Sequence, residues 1–174
     1  GTDAWRIRPL GEVSFTATNP APASPADVGG DITVASFNVL NYFTTLDEAG
    51  ATCGPSALGC RGAHSAAELE RQRDKIVAAL VEMDADVVGL IEIENDFAGE
   101  TFAIMDLVGR VNAALGAEVY AFVDPGQEFV GGDAISNGLI YKLDSVALQG
   151  DMAILETFEG RDFIDPLGAG RGLN

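Results

Sequence analysis

The sequence predicts an α/β (α+β) fold, a mixed β-sheet flanked by helices, and three stretches carry that expectation. "ITVASF" at residues 32–37 is rich in β-branched residues and reads as a strand. Residues 65–83 read as a helix with a written start: Ser65 and Glu68 form an S-x-x-E capping box, and Leu69, Ile76, Leu80 and Met83 recur on one face. "DVVGLIEI" at residues 86–93 is an almost unbroken apolar run, the pattern of a strand covered on both faces. A strand, a helix and a second buried strand make a βαβ unit, whose crossover requires the two strands to be parallel.

The remaining segments fill out the fold. Residues 1–30 stand apart from the core: "RIRPLGEVSFTAT" reads as a single strand or the tail of a preceding domain, and "NPAPASPADVGG" as an extended Pro/Ala/Gly linker. The domain proper begins near Asp31 and runs to Asn174. A second helix is expected from about Phe102 to Leu115, stopped by Gly116, followed by a strand "EVYAFV" that ends at the turn "DPG". "NGLIYK" and "VALQGDMAILETF", with only "LDS" between them, predict an antiparallel hairpin. Helices precede strands early and strands dominate late, so the sheet is expected to be mixed.

Composition narrows the function classes. The 174 residues are 47% hydrophobic with a mean hydropathy of +0.17, enough for one sizeable core and too little for two. No stretch approaches the roughly 18–20 apolar residues of a membrane span, and "GTDAWRIRPL" lacks a signal-peptide pattern, so no membrane partner is expected and any export signal lies upstream or has been removed. Ten basic residues against 27 acidic ones give a formal charge of −17, which repels phosphate backbones and leaves a polyanionic substrate in need of a metal bridge. The same charge also serves as a solubilising acidic surface, suited to high salt.

Two cysteines occur, Cys53 and Cys60, in "CGPSALGC", where Gly54, Pro55 and Gly59 suit a loop that returns on itself. A disulfide is the economical expectation and implies an oxidising compartment. Two free thiols, or a metal site using Cys53, Cys60 and His64, are the alternatives, though structural zinc takes four ligands at other spacings.

Chemistry concentrates where the apolar strands meet polar residues. Glu92 interrupts the run "GLIEIEN", and a carboxylate there needs a partner, a hydrogen bond or a cation. If the strand continues regularly, Glu94 shares its face at about 7 Å. With parallel strands, Asn38 in "SFNVLNYF" and Glu92 both lie at carboxyl ends on one edge of the sheet, where ligands bind in open α/β sheets. An amide and carboxylates suit a hard divalent cation such as Mg²⁺ or Ca²⁺. The rival is structural: Asn38 capping a turn and Glu92 meeting an arginine.

"VASFNVLNYF", "CRGAHSAAELERQRDKIVAAL", "DADVVGLIEIEND" and "GGDAISNGLIYK", in that order over about residues 30–145, resemble the endonuclease/exonuclease/phosphatase superfamily, especially its secreted bacterial extracellular nuclease branch. The resemblance implies part of a four-layer α/β/β/α sandwich of the deoxyribonuclease-like type. It also implies a divalent-metal-dependent phosphodiester hydrolase, secreted, acting on DNA or RNA with Mg²⁺, Ca²⁺ or Mn²⁺. Carried over, Asn38, Glu92 and Asp133 are the catalytic candidates, and Asn38, Glu92 and Glu94 the metal candidates. Asn41, Asn95 and Asn137 are the substrate-binding candidates, Asn137 standing where pancreatic-type deoxyribonucleases have a phosphate-contacting arginine. The family's second half supplies a histidine, an Asp-x-Asn motif and a closing Ser-Asp-His, none of which occurs in these residues, so a C-terminal half is the expected partner for activity. His64, the single histidine, is expected in an exposed loop. A phosphatase or phospholipid phosphodiesterase of the same superfamily and a catalytically inactive binding module are the alternative functions.

Overall fold

Parallel pairing of the first long strand with the strand after the first helix sets the architecture. The computed structural model describes residues 8–19, 22, 26–150 and 152–154, with the backbone of two short strands at 157–158 and 161–162. β1 (Val34–Tyr42) is followed by a small hairpin, β2 (Thr52–Cys53) and β3 (Leu58–Gly59), then α1 (Ala66–Met83) and β4 (Val87–Glu94). After these come α2 (Ala103–Leu115), β5 (Tyr120–Phe122), β6 (Ile135–Lys142), and the two-stranded β7 (Thr157–Phe158) and β8 (Arg161–Asp162). The main sheet has the order β1-β4-β6-β5, with β1 parallel to β4 and β6 antiparallel to both β4 and β5. The fold is therefore mixed α/β, with helices against a mixed sheet. No helix among the described residues is long and apolar enough to cross a membrane.

The helix signals read from the sequence operate, with one substitution of roles. Ser65 caps α1 by accepting from the Glu68 backbone N–H at 3.3 Å. The Glu68 carboxylate accepts from the His64 N–H at 3.0 Å, one residue outside the cap, where a standard capping box would return to Ser65. Leu69, Ile76 and Leu80 face the core, and Asp84 ends the helix in the left-handed conformation, its N–H donating to the Leu80 carbonyl. α2 stops at Gly116 as expected, and its buried Ile104, Leu107 and Val111 join Leu80, Leu90, Ile93 and Ile140 in one core. Gly138 on β6 lets α2 sit close, because a Cβ there would lie 2.6 Å from Ile104 Cδ1.

Four expectations are corrected. β1 does not stop at Phe37 but runs through Asn38 to Tyr42, while residues 8–19 hold no strand. Among the described residues, no helix covers the sheet's second face. Both helices bury against the face of Val88, Leu90 and Ile140, while Val34, Ile91 and Leu139 alternate to the other and remain 69%, 40% and 43% exposed. The hairpin between "NGLIYK" and the segment from Val146 does not form. β6 already has a neighbour on each side, so no edge is left to pair, and Val146 N–H donates back to the Lys142 carbonyl in a turn. In that segment only Thr157–Phe158 is a strand among the described residues, and it pairs with Arg161–Asp162.

Candidate functional site

The regular ladder between β1 and β4 breaks at one rung. Asn38 pairs with Ile91, and the next pair is Tyr42 with Ile93, so Val39, Leu40 and Asn41 on one strand face the single extra residue Glu92 on the other. β6 shows the same break from its side, passing from Asn137 opposite Ile91 to Ser136 opposite Ile93. Leu40, Asn41 and Glu92 all take positive φ, at 54°, 53° and 64°. Non-glycine residues there cost roughly 1–3 kcal/mol each and persist where surroundings force them, a pattern that clusters at functional sites.

Those surroundings are visible. Val39 and Tyr42, on either side of the strained pair, are fully buried. Gln72 of α1 donates from Nε2 to the carbonyls of Val39 (3.2 Å) and Leu40 (2.9 Å), and Asn38 Oδ1 accepts from the Leu40 N–H at 2.7 Å. The Tyr42 hydroxyl donates to Asp106 of α2 and accepts from Arg73 Nε of α1 at 3.2 Å, while Arg73 Nε also reaches Asp106 at 3.1 Å. Burial, then the Asp106 bond, pushes the Tyr42 phenol far above its usual value, so it remains a donor. The end of β1 is thus bolted to both helices.

The row Asn38–Ile91–Asn137 runs across three adjacent strands on the uncovered face, with neighbours about 4.8 Å apart. Glu92 follows immediately, half-buried, with no hydrogen-bond or ion-pair partner among the described residues. The structure therefore brings Asn38, Glu92 and Asn137 close together along the strands, with Asn41 inside the bulge. Of the structural alternative, the half that concerns Asn38 occurs, since its Oδ1 caps the turn at the Leu40 N–H, while the arginine partner for Glu92 does not occur among the described residues.

Glu94, Asn95 and Asp133 form a different cluster. The bulge changes the alternation of β4, so Glu92 and Glu94 do not share a face in the regular way expected from their spacing; Leu90 and Ile93 instead both enter the core. Glu94 is 3% exposed, and its Oε2 accepts from the N–H groups of Thr44 (2.7 Å) and Thr45 (3.1 Å) and the Thr44 hydroxyl (3.1 Å). Asn95, fully buried, donates from Nδ2 to the carbonyls of Val130 (2.9 Å) and Asp133 (2.8 Å) and accepts from the Val130 N–H at 2.8 Å. Asp133 pairs with Arg61 and accepts from the Ala134 N–H at 2.6 Å. These three side chains hold two loops, 43–64 and 128–134, against the sheet end. Burial, then the Glu94 charge, pushes Asp96 up to about 8, although it accepts from the Ala103 N–H at the start of α2.

The loop 43–64 carries the disulfide. Cys53 and Cys60 are bonded across the β2–β3 hairpin, which removes the free-thiol and metal alternatives, and they pack with Phe43 and Ala134 in a small second core. Gly54, at φ 69°, is needed at this contact because a Cβ would meet the Asp133 carbonyl at 2.6 Å. His64 is exposed as expected, its Nδ1 3.0 Å from the Asp47 carbonyl, and that contact raises its pKa.

No group of three or more His, Cys, Asp or Glu side chains placed to hold a metal exists among the described residues. Asn38 and Glu92 can offer two oxygen donors, which fits Mg²⁺ only in its usual form: one or two protein ligands, the remainder water and substrate phosphate. Sequence reasoning missed the cations nearby. Arg61, Arg71 and Lys75 line a cavity of about 600 Å³ beside Asn38, Leu40 and Asn41. Their signal was legible as two basic residues four apart on a helix of a strongly acidic chain. No protein family, curated protein or solved structure matches this chain.

Proposed function

We propose that this chain is the N-terminal half of the catalytic domain of a divalent-metal-dependent phosphodiester hydrolase, an extracellular nuclease acting on DNA or RNA. The observation that carries this reading is Glu92. A carboxylate without a partner among the described residues, on a strained residue in a bulge beside Asn38, where the regular parallel ladder of β1 and β4 ends, makes little structural sense and good sense as a cation ligand. When bound, the metal would polarise the scissile phosphate and offset charge on the leaving oxygen. Glu92 and Asn38 would hold it, Asn137 would present its amide to the phosphate from the row it shares with Asn38, and Asn41 would approach from within the bulge. Glu94, Asn95 and Asp133 would act through the loops they fix.

The four-layer sandwich belongs to the same proposal. Exposed Val34, Ile91 and Leu139 make an apolar sheet face that a second sheet would bury, and Met152–Ile154 already line a cavity of about 210 Å³ with Asn137 and Leu139 on that face. A disulfide suits an oxidising compartment outside the cell. A second reading, a catalytically inactive binding module, draws on the place of the single histidine: His64 is tied to Asp47 in the loop before α1 and is not among the described residues beside Glu92.

Mixing this chain with a separately made C-terminal half should restore chelator-sensitive cleavage of DNA, and Glu92→Gln should abolish it while the thermal melt stays unchanged. General-base assistance is worth ~10²–10⁴-fold, so the chain alone should show no cleavage. Full activity of Glu92→Gln at limiting Mg²⁺ would return Glu92 to a structural role.

A further inference from the structure

This inference rests on the phosphodiester reading and extends it to the form of the substrate. Acids outnumber bases 27 to 10 in this chain, so each cation has many potential partners. Arg61, Arg73, Arg110 and Lys142 all have carboxylate partners. Arg71 and Lys75 do not: both are exposed on α1, with no ion pair or hydrogen bond among the described residues. They stand four residues apart, where like charges repel and weaken the helix. A helix that keeps two unpaired cations together, in a chain with acids to spare, is suited to an anion from outside.

The location says which anion. Arg71 and Lys75 form one wall of the cavity of about 600 Å³ whose floor is the free edge of β1 at Asn38 and Asn41. Arg61 stands on the lining as well, held by Asp133. Glu68, the one acid on the lining, is already engaged by the His64 N–H at 3.0 Å. Asn38, proposed to hold the cation, lines the cavity, whereas Glu92 and the rest of β4 do not. A single phosphate at Glu92 would leave these cations unused, whereas the next phosphate of a chain would reach them.

We infer that Arg71 and Lys75, with Arg61, form a subsite for a backbone phosphate flanking the scissile one, so that the substrate is a polynucleotide strand crossing α1. Cations that track a backbone give salt-dependent, sequence-tolerant binding.

Fluorescence anisotropy of a labelled single-stranded DNA of about 12 nucleotides, at low ionic strength with EDTA, tests this without turnover. The double variant R71Q/K75Q should weaken binding by roughly tenfold or more and reduce the slope of log Kd against log salt by about 1.4, the value for two phosphate contacts on single strands. R71K/K75R, which keeps both charges, should bind close to wild type, and melts of all variants report folding. Unchanged affinity and slope in R71Q/K75Q would overturn the subsite. So would a wild-type chain that binds phosphatidylserine vesicles or inorganic phosphate but no oligonucleotide. Charge-dependent oligonucleotide binding combined with absent Mg²⁺-dependent cleavage in the reassembled domain would sustain the subsite and defeat the hydrolase reading, so the two failures are distinct.

Discussion

Glu92 and Glu94 lie two residues apart on one strand and live in opposite circumstances. Glu94 is buried, with two backbone N–H groups and a hydroxyl converging on its Oε2, and Asn95 beside it clamps a second loop. Glu92 is half-exposed, unpartnered among the described residues and held at positive φ by a bulge. The difference shows what an acid in a buried strand can be for. Where backbone donors converge on it, the carboxylate organises structure; where none do and the backbone is strained as well, stability has been given up at that residue for something else.

The largest test of the contrast lies on the satisfied side. Asn95→Ala should destabilise the fold by about 3 kcal/mol in urea unfolding, because it leaves the buried Asp133 carbonyl and the part-buried Val130 carbonyl and N–H without their partner. A loss under about 1 kcal/mol would mean that water replaces the amide. Next, removing the disulfide with Cys53→Ser and Cys60→Ser should cost roughly 2–3 kcal/mol, since the bond closes a short loop packed under Ala134. Intact mass without reduction should be two hydrogens below the dithiol.

On the strained side the sign reverses. Glu92→Gly should stabilise the chain by about 1 kcal/mol, because glycine accepts positive φ freely and no side-chain partner is lost. It should also eliminate cleavage in the reassembled domain. Destabilisation by that substitution would show that Glu92 has a folding role and would collapse the contrast.

The smallest effect concerns pH at the opposite end of β4. Asp86 accepts from the Thr33 N–H at 2.8 Å and from the Ser145 hydroxyl at 2.5 Å, and the Ser145 bond, then the Thr33 bond, holds its pKa below the ordinary 3.8. A depressed folded-state pKa gives stability that is present above the unfolded value and lost as pH falls through the folded one. Wild type should therefore lose stability below about pH 4 more steeply than Asp86→Asn, compared by thermal melts across that range. Parallel curves would remove Asp86 from the acid response.

Much of the frame was legible in the residues. The cap at Ser65, the helix face of Leu69, Ile76 and Leu80, and the stop at Gly116 are local devices whose partners lie within a few residues, so periodicity and spacing report them. The Cys53–Cys60 pairing was legible for the same reason. The failures share the opposite cause. Whether Val146 onward could pair with β6 depended on β4 and β5 already filling its two edges, and whether Glu94 faced a ligand or a loop depended on Thr44 and Thr45 arriving from fifty residues away.

By itself, then, the sequence determined the helices, the parallel crossover, the acidic charge and the short list of polar residues at the strand ends, because these follow from local periodicity and composition. Only the tertiary structure divided that list. It set Asn38 and Asn137 on one rung with Glu92 in the bulge next to it, assigned Glu94, Asn95 and Asp133 to holding loops, and set Arg71 and Lys75 beside Asn38. The physical reason is the bulge. One extra residue in β4 opposite three in β1 changes which face each following side chain takes, and strand alternation carries no mark of where such a break falls.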